Sequence, residues 1–141
     1  MRLTTKGRYA VRALYCLSTF SKEKPVPLSE VAKRQNISLN FLEQLFVHLR
    51  KNGIVSSVRG PRGGYKLNKP SEDITIGEIL RAVGESTFPV FCSDEYSSGK
   101  KSCPRADDCV THLLWERLGA NINQFLDSTT LADVGQLEPR C

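Results

Sequence analysis

Two short amphipathic helices followed by a glycine- and proline-rich hairpin are the feature that most restricts the fold of this chain. Apolar residues recur three and four positions apart over Leu28–Gln35 and again over Leu39–Asn52, with a polar turn between them. Extended runs at Ile54–Val58 and Tyr65–Leu67 flank the loop Arg59–Gly64, which is the pattern of a β-hairpin. Two helices joined by a tight turn and followed by such a hairpin predict a winged helix-turn-helix.

Three further helices are predicted around this unit, from apolar residues at helical spacing. They are expected at Thr5–Phe20, Thr75–Gly84 and Val110–Phe125. Residues 86–108 show no periodicity, and a loop of that length in a compact domain indicates a functional or disordered segment. Beyond Asp127 the chain has few periodic apolar residues and is expected to fray.

This pattern predicts a mainly α fold with a small β-hairpin wing, organised in two regions. Residues 1–70 would form the winged helix-turn-helix, and residues 71–141 a cysteine-containing loop and a long C-terminal helix. No apolar run approaches the roughly 20 residues of a transmembrane helix. The basic N-terminus is not followed by the apolar core and cleavage site of a signal peptide. We therefore expect a cytoplasmic protein without a membrane partner.

Basic residues are concentrated in the first region. Residues 1–70 carry 14 Lys and Arg against 3 Asp and Glu, whereas residues 71–141 carry 6 against 12. Such asymmetry indicates a nucleic-acid or membrane surface at the basic end, although charge alone is equally compatible with a solvated basic face. The helix-turn-helix and the wing favour DNA.

The second helix of the pair begins with residues suited to reading bases. A recognition helix contacts base edges with its exposed N-terminal face, and a glutamine can bond adenine through two atoms. The candidates on this face are Ser38, Asn40, Phe41 and Gln44. Glu43 either faces DNA, where it would accept only from a donor such as the cytosine amino group, or caps the helix three residues after Asn40.

The wing is expected to add a contact in the minor groove. Gly60 places no side chain beside Arg59, which could enter a narrow groove whose potential attracts arginine. Other basic residues would bind phosphates and so supply affinity rather than specificity. These are Arg2, Lys6, Arg8, Lys33, Arg34, Arg50 and Lys51.

Three of the five cysteines lie in or beside the aperiodic segment. Cys92, Cys103 and Cys109 precede His112, and Cys109 and His112 are one helical turn apart, so they can converge on one site. Thiolate and imidazole ligands together favour zinc or an iron–sulfur cluster. The wide spacing lacks the close cysteine pair of a structural zinc finger, but a zinc site or a reversible disulfide switch stays open as the alternative. The sequence contains no enzyme motif, such as a phosphate loop or paired carboxylates, and we predict that the protein is not an enzyme.

Several of these motifs resemble those of the IscR family of bacterial iron–sulfur cluster regulators, a winged-helix family related to the nitric-oxide sensor NsrR. The resemblance extends from Met1 to about Leu131. The segments that carry it are Met1–Val11, Ile37–Leu39, Leu42–Leu45, Val58–Pro61, Gly63–Tyr65 and the cysteine and histidine set.

The resemblance implies a homodimer, held by crossing C-terminal helices and bound to an imperfect palindrome of double-stranded DNA. It implies a [2Fe–2S] cluster ligated by Cys92, Cys103, Cys109 and His112. Cluster occupancy would decide which sites are bound, so that the protein controls cluster-assembly genes as repressor or activator. Cluster-assembly proteins would be the cluster donors.

The resemblance also implies DNA contacts, and the chain departs from the family in two respects. The contacts fall on Ser38, Asn40, Phe41, Gln44, Arg59 and the adjoining Gly60 and Pro61, with Glu43 discriminating between types of site. Asn40 and Phe41 differ from the residues of the family. The interval between Cys92 and Cys103 is five residues longer than in the family, with the apparent insertion within Tyr96–Lys101. Arg8 stands where NsrR-like [4Fe–4S] binding uses an acidic residue, which weighs against that cluster type.

Overall fold

The computed structural model describes residues 2–20, 24–94 and 103–137. Within these ranges the chain is mainly helical with one two-stranded antiparallel sheet. The helices are α1 (Thr5–Phe20), α2 (Leu28–Gln35), α3 (Leu39–Lys51), α4 (Ile76–Ala82), α5 (His112–Ser128) and α6 (Leu131–Leu137), and the strands are β1 (Val55–Val58) and β2 (Gly64–Leu67). Short 3-10 turns occupy Ser71–Asp73 and Phe91–Ser93. None of the described helices is long and apolar enough to cross a membrane.

The helix-turn-helix has the predicted form. Helix α2 ends at Asn36, whose left-handed backbone (φ 52°) turns the chain toward α3. Ser38 caps α3, because its side-chain oxygen accepts a hydrogen bond from the backbone N–H of Phe41 at 3.5 Å. Helix α3 is one residue shorter than predicted, since Asn52 forms its C-cap.

The wing is attached to the segment that precedes α2. Val55 pairs with Leu67 and Val58 with Gly64 in the antiparallel hairpin. Tyr65 also pairs with Val26, and both backbone hydrogen bonds of this bridge measure 2.9 Å. The bridge fixes the hairpin relative to the two helices, as a winged-helix fold requires.

A single hydrophobic core joins the two regions predicted from the sequence. Leu14 of α1 is fully buried with Phe46 of α3, Ile79 of α4 and Leu131 of α6. Because α1 packs against α2, α3, α4 and α6, it is the central element of the core. The winged helix-turn-helix and the C-terminal elements therefore cannot shift independently without disturbing α1.

The expectation that the chain frays beyond Asp127 is wrong for residues 128–137. Thr130 forms a bridge with Thr75, and the backbone N–H of Leu131 donates to the carbonyl of Ile74 at 2.8 Å. Helix α6 follows, and Leu131 is completely buried. This pairing joins distant parts of the chain, so helical periodicity could not reveal it.

Candidate nucleic-acid interface and cysteine segment

The N-terminal face of α3 presents four of the five predicted base-reading residues to solvent. Ser38, Asn40, Glu43 and Gln44 are exposed. Phe41 is half-buried, and its ring meets the ring of Tyr9 edge-on with the centroids 5.8 Å apart. Phe41 therefore ties the beginning of α3 to α1 as well as bordering the exposed face.

The capping interpretation of Glu43 is wrong. The N-cap of α3 is Ser38, so the third helical position belongs to Phe41, and Glu43 lies beyond the first turn. Because positions 40, 43 and 44 share one face of a helix, the carboxylate of Glu43 lies beside Asn40 and Gln44 on the exposed side.

The tip of the wing is exposed and depends on one glycine conformation. Arg59, Gly60 and Pro61 are all exposed. Gly60 has φ 114°, which residues with a side chain rarely adopt, although a Cβ there would meet no atom of the described part of the chain within 4 Å. The glycine is thus needed for the turn of the backbone rather than for room beside Arg59, which corrects the reason given from the sequence.

Arg34, one of the predicted phosphate contacts, interacts with other residues of the protein. Arg12, which the sequence analysis did not name, also makes contacts within the protein. Arg34 bonds Glu30 at 3.0 Å and lies 3.7 Å over the ring of Phe20. Arg12 donates to the backbone carbonyl of Gln35 at 2.7 Å and lies 5.2 Å from the ring centroid of Tyr9. The three-residue spacing of Tyr9 and Arg12 was the available signal for this cluster.

The four predicted cluster ligands lie in three pieces of the chain. Cys92 is half-buried in the 3-10 turn Phe91–Ser93, which packs against α5. Cys103 begins a series of turns that leads toward α5. Cys109 accepts, through its carbonyl, a hydrogen bond of 3.2 Å from the backbone N–H of His112, the first residue of α5. The segment Tyr96–Lys101, which contains the apparent insertion, lies outside the described residues.

The structure brings Cys109 and His112 into one turn but does not assemble the whole ligand set. Across the described ranges, no group of three or more histidine, cysteine, aspartate or glutamate side chains is placed to hold a metal ion. Two atoms nevertheless have the properties of metal ligands. Hydrogen bonds from the side chain and backbone of Thr111 lower the pKa of the Cys109 thiol, and Nδ1 of His112 is buried without a hydrogen-bond partner in the described part of the chain. A buried, unpaired nitrogen is costly, and a bound metal would satisfy it.

Helix α5 carries an apolar face that the rest of the described chain leaves uncovered. The large apolar residues exposed on it and just before it are Val110, Leu113, Leu114, Leu118 and Phe125. Gly119 is the buried residue of the helix, and it packs against Phe88 and Pro89. The apolar stripe predicted for this helix therefore does not face the core of its own chain.

Comparison with known protein families shows which family this chain belongs to. A family model described as Rrf2, an iron-dependent transcriptional regulator, matches residues 3–136. The chain belongs to the Rrf2 family. It is 49% identical, over 134 residues, to the HTH-type transcriptional regulator IscR of Serratia proteamaculans, and the match covers 95% of this chain and 79% of that protein.

Solved structures of Rrf2-type regulators have the same architecture. T. potens IscR aligns with a TM-score of 0.76 and 38% identity, covering 99% of this chain and 90% of that one. CymR of B. subtilis, described as the global cysteine regulator, aligns with a TM-score of 0.75 and 33% identity, covering 98% of both chains. The predicted winged helix-turn-helix is confirmed, and the resemblance to IscR proteins seen in the motifs is confirmed at the level of the whole chain.

As an Rrf2 protein, the chain is a DNA-binding transcriptional regulator and not an enzyme. The exposed face of α3 and the tip of the wing are the surfaces that such a fold offers to DNA.

Proposed function

We propose that this Rrf2-family regulator senses iron–sulfur cluster status through a [2Fe–2S] cluster and controls cluster-assembly genes accordingly. The ligands would be Cys92, Cys103, Cys109 and His112. The observation that carries the proposal is the single turn that presents a thiol of lowered pKa at Cys109 and, at His112, a buried nitrogen with no hydrogen-bond partner among the described residues. The names of the relatives, IscR and an iron-dependent regulator family, support the same chemistry.

A bound cluster would supply a redox-sensitive group that oxygen, nitric oxide or iron shortage can remove. The protein's own residues would hold it at the start of α5. Thr111 favours the thiolate at Cys109, which is the ionised form that binds metal. The 3-10 turn that carries Cys92 packs against α5, so ligation at Cys92 would join this turn more firmly to the helix.

The regulator is proposed to bind an imperfect palindrome as a homodimer in the cytoplasm. The uncovered apolar face of α5 would lie against the same face of a second copy, and a two-fold dimer presents two recognition helices to two half-sites. Cluster-assembly proteins would load the cluster onto this dimer.

Base and groove contacts are proposed on the exposed surfaces described above. The residues are Ser38, Asn40, Phe41, Glu43 and Gln44 on α3, with Arg59, Gly60 and Pro61 on the wing. Gln44→Ala should relax the preference for one base pair by about 1–3 kcal/mol, whereas Arg59→Ala should weaken binding to all sites with a narrow minor groove. Binding competitions with single-base variants of a selected site measure both. An unchanged preference in Gln44→Ala, or unchanged affinity in Arg59→Ala, removes that residue from the interface.

Anaerobic purification followed by iron, sulfide and zinc analysis tests the cofactor. Two irons and two sulfides per chain, with visible charge-transfer absorbance, are expected for the wild type. Cys109→Ala and His112→Ala should lose or alter this absorbance and remain folded, whereas Cys141→Ser, at the last residue of the sequence, should keep it. His112→Cys should retain a cluster with a changed spectrum, since thiolate replaces imidazole. A colourless protein with stoichiometric zinc, or one whose thiols form a reversible disulfide, would overturn the proposal in favour of the alternative switch.

A further inference from the structure

The N-terminus of α1 is capped by a carboxylate from a distant part of the chain. Both oxygens of Glu85 accept hydrogen bonds there: Oε1 from the backbone N–H of Thr4 at 3.1 Å, and Oε2 from the Thr4 hydroxyl at 2.6 Å and the backbone N–H of Gly7 at 3.0 Å. Glu85 is only 8% exposed. A buried carboxylate that accepts three hydrogen bonds is held in a defined position.

The geometry differs from a capping box in that one carboxylate from elsewhere in the sequence accepts from the backbone N–H groups of both Thr4 and Gly7, while the Thr4 hydroxyl donates to it. The carbonyl of Thr4 accepts from the backbone N–H of Arg8 at 3.2 Å, so Thr4 occupies the N-cap of α1. Gly7 is then the third helical residue, where a capping box has its glutamate. The first turn of α1 contains no acidic residue, and Glu85 supplies the negative charge that the positive end of the helix favours.

Gly7 is required for this contact. A Cβ built on Gly7 would lie 2.6 Å from Oε2 of Glu85, closer than real atoms approach. Since the obstructing atom is the end of a flexible side chain, an alanine would displace the carboxylate and leave the helix backbone in place.

The capped turn carries basic residues and contacts the recognition helix. Arg8 is exposed on it, Arg2 is exposed just before it, and Lys6 lies close to Gly84, where an added Cβ would be 3.6 Å from its Nζ. One residue after Arg8, the Tyr9 ring packs on Phe41 at the beginning of α3. The position of this turn therefore affects both the N-terminal charges and the start of the helix that reads DNA.

We propose that Glu85 is a positioning residue for DNA binding, which holds the basic first turn of α1 against phosphate and the start of α3 in register with the bases. It touches no DNA itself and acts through Thr4 and Gly7. Loss of its carboxylate also removes a negative charge, which alone would strengthen binding to a polyanion. If Glu85→Gln weakens DNA binding, the change is therefore opposite in sign to the one that loss of the negative charge alone would cause.

The two residues that follow Glu85 in the sequence connect this helix cap to the cysteine segment. The Ser86 hydroxyl donates to the carboxylate of Asp94, two residues after Cys92, and the Thr87 hydroxyl donates to Oδ1 of Asn123 on α5 at 2.6 Å. A rearrangement around Cys92 would thus reach Glu85 through Ser86. This regulatory consequence rests on the proposed cluster function, whereas the positioning role of Glu85 does not.

The positioning role is tested by titrating a mixed-sequence DNA duplex at several salt concentrations with the full chain. Glu85→Gln and Thr4→Val should bind about tenfold more weakly, and the slope of log affinity against log salt should shrink by about 0.9 for each phosphate that the protein no longer neutralises. Thr4→Ser keeps the hydroxyl and should bind as the wild type does. Glu72→Gln, which removes an exposed negative charge elsewhere, should not weaken binding.

Gly7→Ala provides an independent perturbation of the same contact. It should weaken binding as Glu85→Gln does, and the double variant should be no weaker than either single variant, because both remove one interaction. Thermal unfolding measures what fraction of each variant is folded under the conditions of the titration. Wild-type affinity and salt slope in folded Glu85→Gln and Thr4→Val, or additive losses in the double variant, would overturn the proposal.

The link to the cysteine segment is tested with Ser86→Ala in cluster-loaded and cluster-free forms, followed by DNA affinity and by hydrogen exchange of the first turn of α1. The variant should show a smaller difference between the two forms than the wild type. If the cluster-loaded and cluster-free wild type do not differ in DNA affinity or in hydrogen exchange, the proposed cluster function is contradicted and the positioning role of Glu85 is unaffected. A wild-type difference that Ser86→Ala fully retains contradicts the link.

Discussion

At the residue scale, Thr111 controls the ionisation of the thiol two positions before it. Its hydroxyl lies 3.4 Å from the Cys109 sulfur, and its side chain and backbone are the main causes of the lowered pKa of that thiol. The Thr111 side chain makes no capping bond to α5, although Thr111 stands at the N-cap of that helix. The hydroxyl is therefore available to act on Cys109, and its removal should not weaken the helix.

Thr111→Val should raise the pKa of Cys109 and slow its alkylation. The hydrogen bond favours the thiolate, so its loss shifts the rise of reactivity to higher pH and reduces the rate near neutrality several-fold. Iodoacetamide labelling of cluster-free protein between about pH 6 and about pH 9, followed by mass spectrometry of the Cys109 peptide, measures the shift. Thr129→Val, at the opposite end of α5, serves as the control. An identical pH profile for wild type and Thr111→Val would show that the threonine does not tune the thiol.

At the element scale, the wing depends on the close approach of β2 to the segment before α2. A Cβ on Gly64 would collide with the backbone carbonyl of Val26. The next residue, Tyr65, forms the bridge to Val26 and packs its ring on Phe46 with the centroids 5.0 Å apart. Any side chain at Gly64 would have to separate the hairpin from the helices.

Gly64→Ala should lower the free energy of unfolding by about 3 kcal/mol, since backbone atoms rather than a flexible side chain obstruct the new methyl group. Gly53→Ala is the matched control. Gly53 has φ 75°, and no atom of the described residues lies within 4 Å of an added Cβ, so the cost of an alanine there is backbone strain of about 1–2 kcal/mol. Urea denaturation of the two variants gives the comparison. Equal losses of stability would mean that the wing tolerates separation from Val26.

The elements that could be predicted from the sequence are those whose determinants are local. The predicted bounds of α1 and α2 are correct because apolar spacing and the neighbouring prolines and Asn36 define them. Helix α6 was missed because the pairing of Thr130 with Thr75 holds it in place. In the candidate site, the spacing of Cys109 and His112 is local and visible, whereas the packing of Phe41 on Tyr9 is a tertiary contact that no local pattern indicates.

At the scale of the whole molecule, the uncovered apolar face of α5 requires an explanation. Leu118 is 40% exposed and Phe125 is 63% exposed, seven residues apart on the same face. A contiguous apolar helix face in water marks an interface, and a second copy of the chain is the proposed occupant. The dimer would place two exposed α3 faces on one DNA duplex.

Leu118→Glu and Phe125→Glu should each convert the dimer to a folded monomer, because a carboxylate would be buried without a partner at the interface. Analytical ultracentrifugation should give half the wild-type mass, and circular dichroism should remain helical. Val47→Glu, at an exposed apolar residue outside α5, should leave the mass unchanged. A wild type that sediments as a monomer would contradict the proposed dimer, and variants that stay dimeric would place its interface away from α5.

The state of the cysteine segment is proposed to decide which DNA this regulator binds. Selection of duplexes from a random library, with cluster-loaded wild type and with Cys109→Ala side by side under anaerobic conditions, measures this dependence without intermediate steps. We expect palindromic sites whose half-sites are spaced for a dimer, and a set for the loaded protein that differs from the set for the cluster-free variant. Identical sets of sites, bound with equal affinity by both proteins, would contradict the proposal.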